Sequence, residues 1–77
     1  MKLTIELQAY LDQYAPGVDP VFDYEVADGA TVRDMVEKLG IPAELAGVIV
    51  VSDAATSPDH VLRDGDRVTL LPPLAGG

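Results

Sequence analysis

The stretch D-G-A-T-V-R-D-M-V-E-K-L-G, residues 28–40, predicts one amphipathic helix together with both of its ends. Thr31 and Asp34 have the Ser/Thr-x-x-Asp/Glu spacing of a capping box, in which each side chain accepts a hydrogen bond from the other residue's backbone N–H. Apolar residues then recur at helical spacing along one stripe: Val32, Met35, Val36 and Leu39. Gly40 is placed to end the helix, and Pro42 prevents its continuation.

Two strand patterns and a short helical pattern precede this helix. Residues 2–8 and 21–27 alternate apolar and polar side chains, and this period of two predicts half-buried strands. Between them, the apolar residues of 9–20 are spaced for one face of a short helix, which Pro16-Gly17 would end.

Two further strands are predicted after the helix. Residues 48–51 are a continuous β-branched run, which predicts a strand buried on both faces of its sheet. Residues 52–59 are predicted to form a loop. Residues 67–71 alternate again and predict a last strand, with Val68 and Leu70 facing inward.

The predicted order is therefore strand, strand, helix, strand, strand, which indicates an α+β domain. In such a domain one main helix packs across a mixed sheet of four to five strands, and this packing would bury Met35 and Leu39. We place the domain at residues 1–71. The two prolines that follow would stop strand pairing because proline has no N–H to donate, so residues 72–77 are predicted to form a flexible tail.

The composition narrows the possible functions. The chain has 77 residues, no cysteine, 13 acidic and five basic side chains, and a net charge of −8. A field of this sign repels phosphate backbones and anionic lipids, which argues against nucleic-acid or membrane binding. The net negative charge either keeps the protein soluble or steers the protein toward a basic surface of a partner. The sequence shows neither a signal peptide nor a membrane span, so we expect a cytoplasmic protein that is a monomer when free.

No cluster of side chains in the sequence predicts an active centre. A general base needs a nucleophile and an orienting partner, and the single His60 has no such neighbours, so it is expected to be structural or merely exposed. Asp64 and Asp66 flank Gly65 in a predicted turn and lack the continuation of a calcium loop. The glycine motifs that cradle phosphates are absent from the sequence. We therefore expect no metal, no cofactor and no enzymatic activity of the chain's own.

The last six residues, P-P-L-A-G-G, are the candidate functional segment. Charged side chains stop at Arg67, so residues 68–77 carry no side-chain charge. Gly76 and Gly77 would let the tail thread a narrow channel and let a partner's backbone approach closely. From Pro72 onward the tail reaches roughly 20 Å. The residues alone also allow a frayed terminus without a function.

Two segments carry a family resemblance. L-R-D-G-D-R-V-T-L-L-P-P-L-A-G-G, residues 62–77, resembles the C-terminus of the molybdopterin synthase small subunit and of its thiazole-forming sulfur-carrier relatives. Residues 28–40 are similar to that family's helix and its lead-in, so that with the first strand the likeness spans nearly the whole chain. The resemblance implies a ubiquitin-like β-grasp fold.

The resemblance also implies a function as a sulfur carrier. An E1-like enzyme would use ATP to adenylate the Gly77 carboxylate, and a persulfide-derived sulfur would displace AMP to leave a C-terminal thiocarboxylate. Gly76 would give access to this group. The thiocarboxylate would then donate sulfur in the site of a second partner, the molybdopterin synthase large subunit or thiazole synthase. The partner-binding residues would be Leu70, Leu71, Pro72, Pro73, Leu74 and Ala75.

Two departures from the family pattern bear on these expectations. Many members have Asn-Gly after the third strand, where this chain has Ser52-Asp53, and molybdopterin members often have aromatic residues where this chain has Leu70-Leu71. The second departure bears on the pathway. On the P-P-x-x-G-G tail, molybdopterin (molybdenum or tungsten cofactor) synthesis is the first choice, thiamin thiazole formation the second, and RNA or amino-acid thiolation the third. From a different class, the rival is a ubiquitin-like interaction module without C-terminal chemistry.

Overall fold

The fold is built on one mixed sheet, which the computed structural model describes within residues 1–73. Its five strands are β1 (Lys2–Leu7), β2 (Val21–Glu25), β3 (Val48–Val51), β4 (Ala54–Thr56) and β5 (Arg67–Leu71). They lie in the order β2-β1-β5-β3-β4. Strands β1 and β5 are parallel, and the other three pairs are antiparallel. The predicted α+β class and mixed sheet are confirmed.

The helix α1 (Val32–Leu39) begins and ends where the sequence predicts. The backbone N–H of Asp34 donates to Thr31 Oγ1 over 3.2 Å, and the N–H of Thr31 donates to Asp34 Oδ2 over 3.0 Å, so the capping box is complete. Gly40 follows with φ of 80°, the left-handed conformation that favours glycine. Met35 has no exposed surface, whereas Leu39, in the last turn, is only half-buried and not fully buried as predicted.

The core lies between α1 and one face of the sheet. It is formed by apolar side chains from both layers and from the connections: Leu3, Ile5, Leu7, Leu11, Val26, Ala30, Val32, Met35, Val36, Ile41, Ile49, Val51, Leu62, Val68 and Leu70. A short 3₁₀-helix, Ala9–Tyr14, confirms the predicted helical segment after β1 and inserts Leu11 into this core. None of the helices in residues 1–73 has the length and apolar character that a membrane-spanning helix needs.

Strand β3 differs from its prediction because only one face of the sheet is covered. Ile49 and Val51 are buried, but Val48 is 44% exposed and Val50 is half-buried. The interpretation of β3 as buried on both faces was therefore wrong. The helix α1 supplies a second layer on the core side, and the opposite face of the sheet, called the open face below, keeps contact with solvent.

The predicted loop after β3 contains a strand that the sequence did not reveal. Ser52 and Asp53 both have positive φ, 48° and 72°, which is the conformation of a two-residue type I′ hairpin turn. Asn-Gly is the preferred sequence for that turn, and here Ser52-Asp53 takes its place. Two hydrogen bonds hold Ser52, from its N–H to the carbonyl oxygen of Arg67 over 2.8 Å and from its Oγ to Asp66 Oδ1 over 3.2 Å.

The D-G-D turn ties the start of β5 to the start of β1. Gly65 has a φ of 86°, and its N–H donates to the carbonyl oxygen of Lys2 over 2.8 Å. The N–H of Lys2 donates in return to Asp64 Oδ1 over 2.7 Å. Asp66 Oδ2 accepts from the N–H of Arg63 over 2.8 Å. Both aspartates therefore serve turn geometry, as predicted.

Candidate functional site

The candidate site begins at the end of β5, the central strand of the sheet. On one side β5 pairs with β1, and the N–H of Gln8 donates to the carbonyl oxygen of Leu70 over 3.0 Å. On the other side β5 pairs with β3 in a register that sets Leu71 opposite Val48. The chain is thus held between two neighbouring strands up to Leu71.

Pro72 and Pro73, called the tail root below, end this pairing. Strand β5 ends at Leu71, as predicted, and neither proline has an N–H to continue the ladder. Pro72 is half-buried and Pro73 is exposed. The other predicted site residues, Leu74, Ala75, Gly76 and Gly77, lie outside the described residues.

The two leucines before the tail root point to opposite faces of the sheet. Leu70 has no exposed surface, because it lies on the core face with Val68. Its predicted role in partner binding therefore does not hold in this conformation, since a partner cannot touch a fully buried side chain. Leu71 is half-buried on the open face and remains available.

An apolar strip on the open face adjoins the tail root. It consists of Val48, Val50 and Leu71, with Val48 paired directly to Leu71. Side chains of directly paired residues share one face of a sheet, so Val48 and Leu71 form a continuous surface. Sequence reasoning missed Val48 and Val50 because it treated β3 as doubly buried. The structural register places them outward, since the inward Leu70 pairs with Ile49 and the neighbours of Ile49 along β3 face the other side.

Ion pairs lie on another part of the open face. Over β1 and β2, Lys2 Nζ lies 3.5 Å from Asp23 Oδ2. One Glu6 carboxylate oxygen on β1 lies 2.9 Å from Arg67 Nη2 on β5. Charged side chains on the open face therefore lie over β1, β2 and the start of β5, and the apolar strip over β3 and the end of β5 is the part that adjoins the tail root.

His60 lies next to the start of α1 and not at the tail root, and its backbone carbonyl forms a hydrogen bond. Its side chain is half-buried, and its carbonyl oxygen accepts from the N–H of Val32 over 3.0 Å, next to the start of α1. Within residues 1–73, no group of three histidine, aspartate or glutamate side chains is close enough to hold a metal ion.

Comparisons with known proteins show a family through one family model and a fold through solved structures. Residues 1–75 match the family described as Mut7-C ubiquitin. A solved structure titled putative molybdopterin converting factor, subunit 1, from Pyrococcus furiosus is 29% identical, with 95% of this chain and 98% of that chain covered and a TM-score of 0.75. A search among curated proteins found no match.

Two structures from Haloferax volcanii support the fold alone, because their identities are low. SAMP1 is 21% identical with both chains fully covered and a TM-score of 0.75. The HVO 2177 protein is 23% identical, with 100% of this chain and 87% of that chain covered and a TM-score of 0.81. The predicted ubiquitin-like β-grasp fold is confirmed.

Proposed function

We propose that this chain, which belongs to the Mut7-C ubiquitin family, is a sulfur carrier whose Gly77 carboxylate is activated and converted to a thiocarboxylate. The observation that carries the proposal is the exit of the chain from the central strand. Strand β5 is paired on both sides up to Leu71, and the tail root then ends the pairing beside an apolar strip. A tail that starts at a strand paired on both sides and ends in two glycines is suited to deliver its terminal group into another protein's active site.

The chemistry that we propose for Gly77 needs a partner enzyme. A carboxylate is a poor electrophile, so one of its oxygens attacks the α-phosphorus of ATP in an E1-like enzyme, and pyrophosphate leaves. The terminal sulfur of a persulfide on a donor protein then attacks the acyl carbon, and AMP leaves. A thiol of the donor or of the enzyme attacks the other sulfur of the resulting acyl disulfide, which releases the thiocarboxylate and leaves a disulfide behind. Gly76 gives partner groups access to this carbon. The chain itself is a co-substrate and not an enzyme.

The partner surface that we propose combines the apolar strip with the tail. Val48, Val50 and Leu71 would contact the body of the E1-like enzyme, while the prolines, Leu74 and Ala75 would lie at the entrance to its active site. The same surface would later contact the protein that takes the sulfur. A net charge of −8 favours a basic rim around both partner sites.

Molybdopterin synthesis is the pathway that we propose, with the molybdopterin synthase large subunit as the partner in whose site the sulfur is donated. The P-P-x-x-G-G tail supports it, and so does the likeness to the structure titled putative molybdopterin converting factor, subunit 1. We place this reaction in the cytoplasm, where a small domain without cysteine needs no oxidising environment.

Mass spectrometry tests the carrier function directly. The chain is incubated with the E1-like enzyme of its own organism, ATP and a sulfur donor, and the C-terminal peptide is expected to gain the mass of an oxygen-to-sulfur exchange. The gain should disappear when one residue is added after Gly77 or when Gly77 is deleted, since both changes misplace the carboxylate. Sulfur elsewhere in the chain, or undiminished transfer by the extended variant, would refute the proposal and favour an interaction module.

A further inference from the structure

We infer that Gly47 is a positioning residue for the tail, because it is the point of the domain against which the tail root packs. Gly47 immediately precedes β3 and is exposed. A Cβ atom built on it would lie 2.5 Å from the Cα atom of Pro73 and 2.9 Å from the carbonyl carbon of Pro72. Real Cβ atoms do not come this close to a neighbour, so any other residue at position 47 would displace the tail root.

The need for glycine at this position comes from the close approach and not from backbone conformation. Gly29, Gly40 and Gly65 have positive φ and open space around them, which is the ordinary use of glycine in turns and caps. Gly47 is not among the residues with positive φ. Its neighbours are backbone atoms of the tail root, which cannot rotate away as a flexible side chain would.

The position of Gly47 in the ladder explains why this contact matters. The antiparallel register of β3 and β5 pairs Val48 with Leu71, so its continuation would bring Gly47 opposite Pro72. Prolines cannot donate a ladder hydrogen bond, and packing must fix their path instead. The contact with Gly47 supplies that packing at the first two residues beyond the strand.

The consequence for transfer rests on the proposed function. A partner that holds the apolar strip receives the tail from a fixed point and in a fixed direction, because Gly47 is adjacent to Val48 in that strip. Displacing the tail root would leave the strip in place but move the path of the Gly77 carboxylate. Misplacement of a reacting group by about 1 Å can cost up to about 100-fold in rate.

The structural part of the inference is tested by NMR on the free chain. The α-protons of residues 47 and 73 should give a strong cross-peak in the natural sequence, and Gly47→Ala should remove it. Gly17→Ala is the matched control, because Gly17 is also exposed, lacks positive φ and has no atom within 4 Å of an added Cβ. Retention of the cross-peak in Gly47→Ala would overturn the inference.

The functional part is tested by separating binding from catalysis. ATP–pyrophosphate exchange with the E1-like enzyme of the same organism gives kcat at saturating carrier, and titration without ATP gives Kd. Gly47→Ala should lower kcat about tenfold or more with at most a twofold change in Kd, while Gly17→Ala changes neither. A change in Kd alone, or a loss of thermal stability that accounts for the lost activity, would show a merely structural role and refute positioning.

The two proposals fail in different ways in these experiments. If the natural chain supports no exchange, the proposed function fails, and with it any role of Gly47 in transfer. If the natural chain is active and Gly47→Ala matches its kcat, the proposed function stands and the positioning role of Gly47 is refuted.

Discussion

Replacing Leu70 and Leu71 separately by alanine would test whether Leu70 stabilises the core while Leu71, on the open face, contacts a partner. The two residues are neighbours of identical chemistry, but Leu70 has no exposed surface and Leu71 is half-buried on the open face. Each variant therefore serves as the control for the other. Leu70→Ala is expected to lower stability, and Leu71→Ala is expected to weaken partner binding.

The magnitude for Leu70 follows from its burial. Truncating a fully buried leucine costs about 2–5 kcal/mol, which includes the cavity that remains. A chain of 77 residues has a free energy of unfolding of about 4–12 kcal/mol at the usual value per residue. Leu70→Ala should therefore remove a large part of the stability and lower the thermal midpoint by about 10 °C or more.

Leu71→Ala is expected to lower stability less than Leu70→Ala does and to weaken partner binding more. A half-exposed leucine at the end of a strand leaves no closed cavity, so Leu71→Ala should cost about 1 kcal/mol of stability. If the apolar strip is the docking surface, the same change should weaken the complex with the E1-like enzyme about fivefold or more. Denaturant unfolding and calorimetric titration measure the two quantities. Equal losses of stability in the two variants, or a binding defect confined to Leu70→Ala, would refute this reading of β5.

Three further predictions follow from other elements. Met35→Ala should cost about 2–5 kcal/mol of stability and Leu39→Ala about half as much, because only Met35 is fully buried. Thermal unfolding of the two variants measures both losses, and a larger loss for Leu39→Ala would contradict the structure. Asp53→Gly should raise the free energy of unfolding by up to about 1 kcal/mol by removing a left-handed non-glycine residue, and a lowered value in denaturant unfolding would argue against the type I′ turn. His60→Ala should leave sulfur transfer nearly intact, since no proposed step uses a side-chain base; a large loss in the mass assay at unchanged stability would show otherwise.

The parts of the fold that local chemistry specifies could be predicted from the sequence. The capping box of Thr31 and Asp34 and the left-handed Gly40 involve residues close together in the chain, so their spacing was enough. The last strand was also predicted with its observed bounds, because the alternating residues define the strand and the two prolines define where it ends.

The parts that depend on distant elements could not be predicted in this way. Whether β3 is covered on one face or two depends on how many layers the chain can supply, and a run of β-branched residues does not contain that information. The hairpin at Ser52-Asp53 lacks the glycine that usually announces a type I′ turn, so β4 went unnoticed. The chemistry of the last residues of the tail stays a prediction, and the contact between Gly47 and Pro73 could be seen only in the three-dimensional structure.

The position of β5 in the centre of the sheet bears on the proposed carrier function. An edge strand such as β4 has three residues and one neighbouring strand, so it can fray. The start of a tail attached to such a strand would not have a fixed position. The end of β5 accepts a hydrogen bond from Gln8, which follows β1, and is paired with β3 at Val48, so it is held on both sides. Because Val48 also belongs to the apolar strip, the proposed docking surface and the tail root are joined through the paired strands β3 and β5. In the proposed function, a partner bound to the strip would receive the tail at a fixed distance, and the four residues beyond the tail root, with a reach of roughly 13 Å, would deliver the carboxylate.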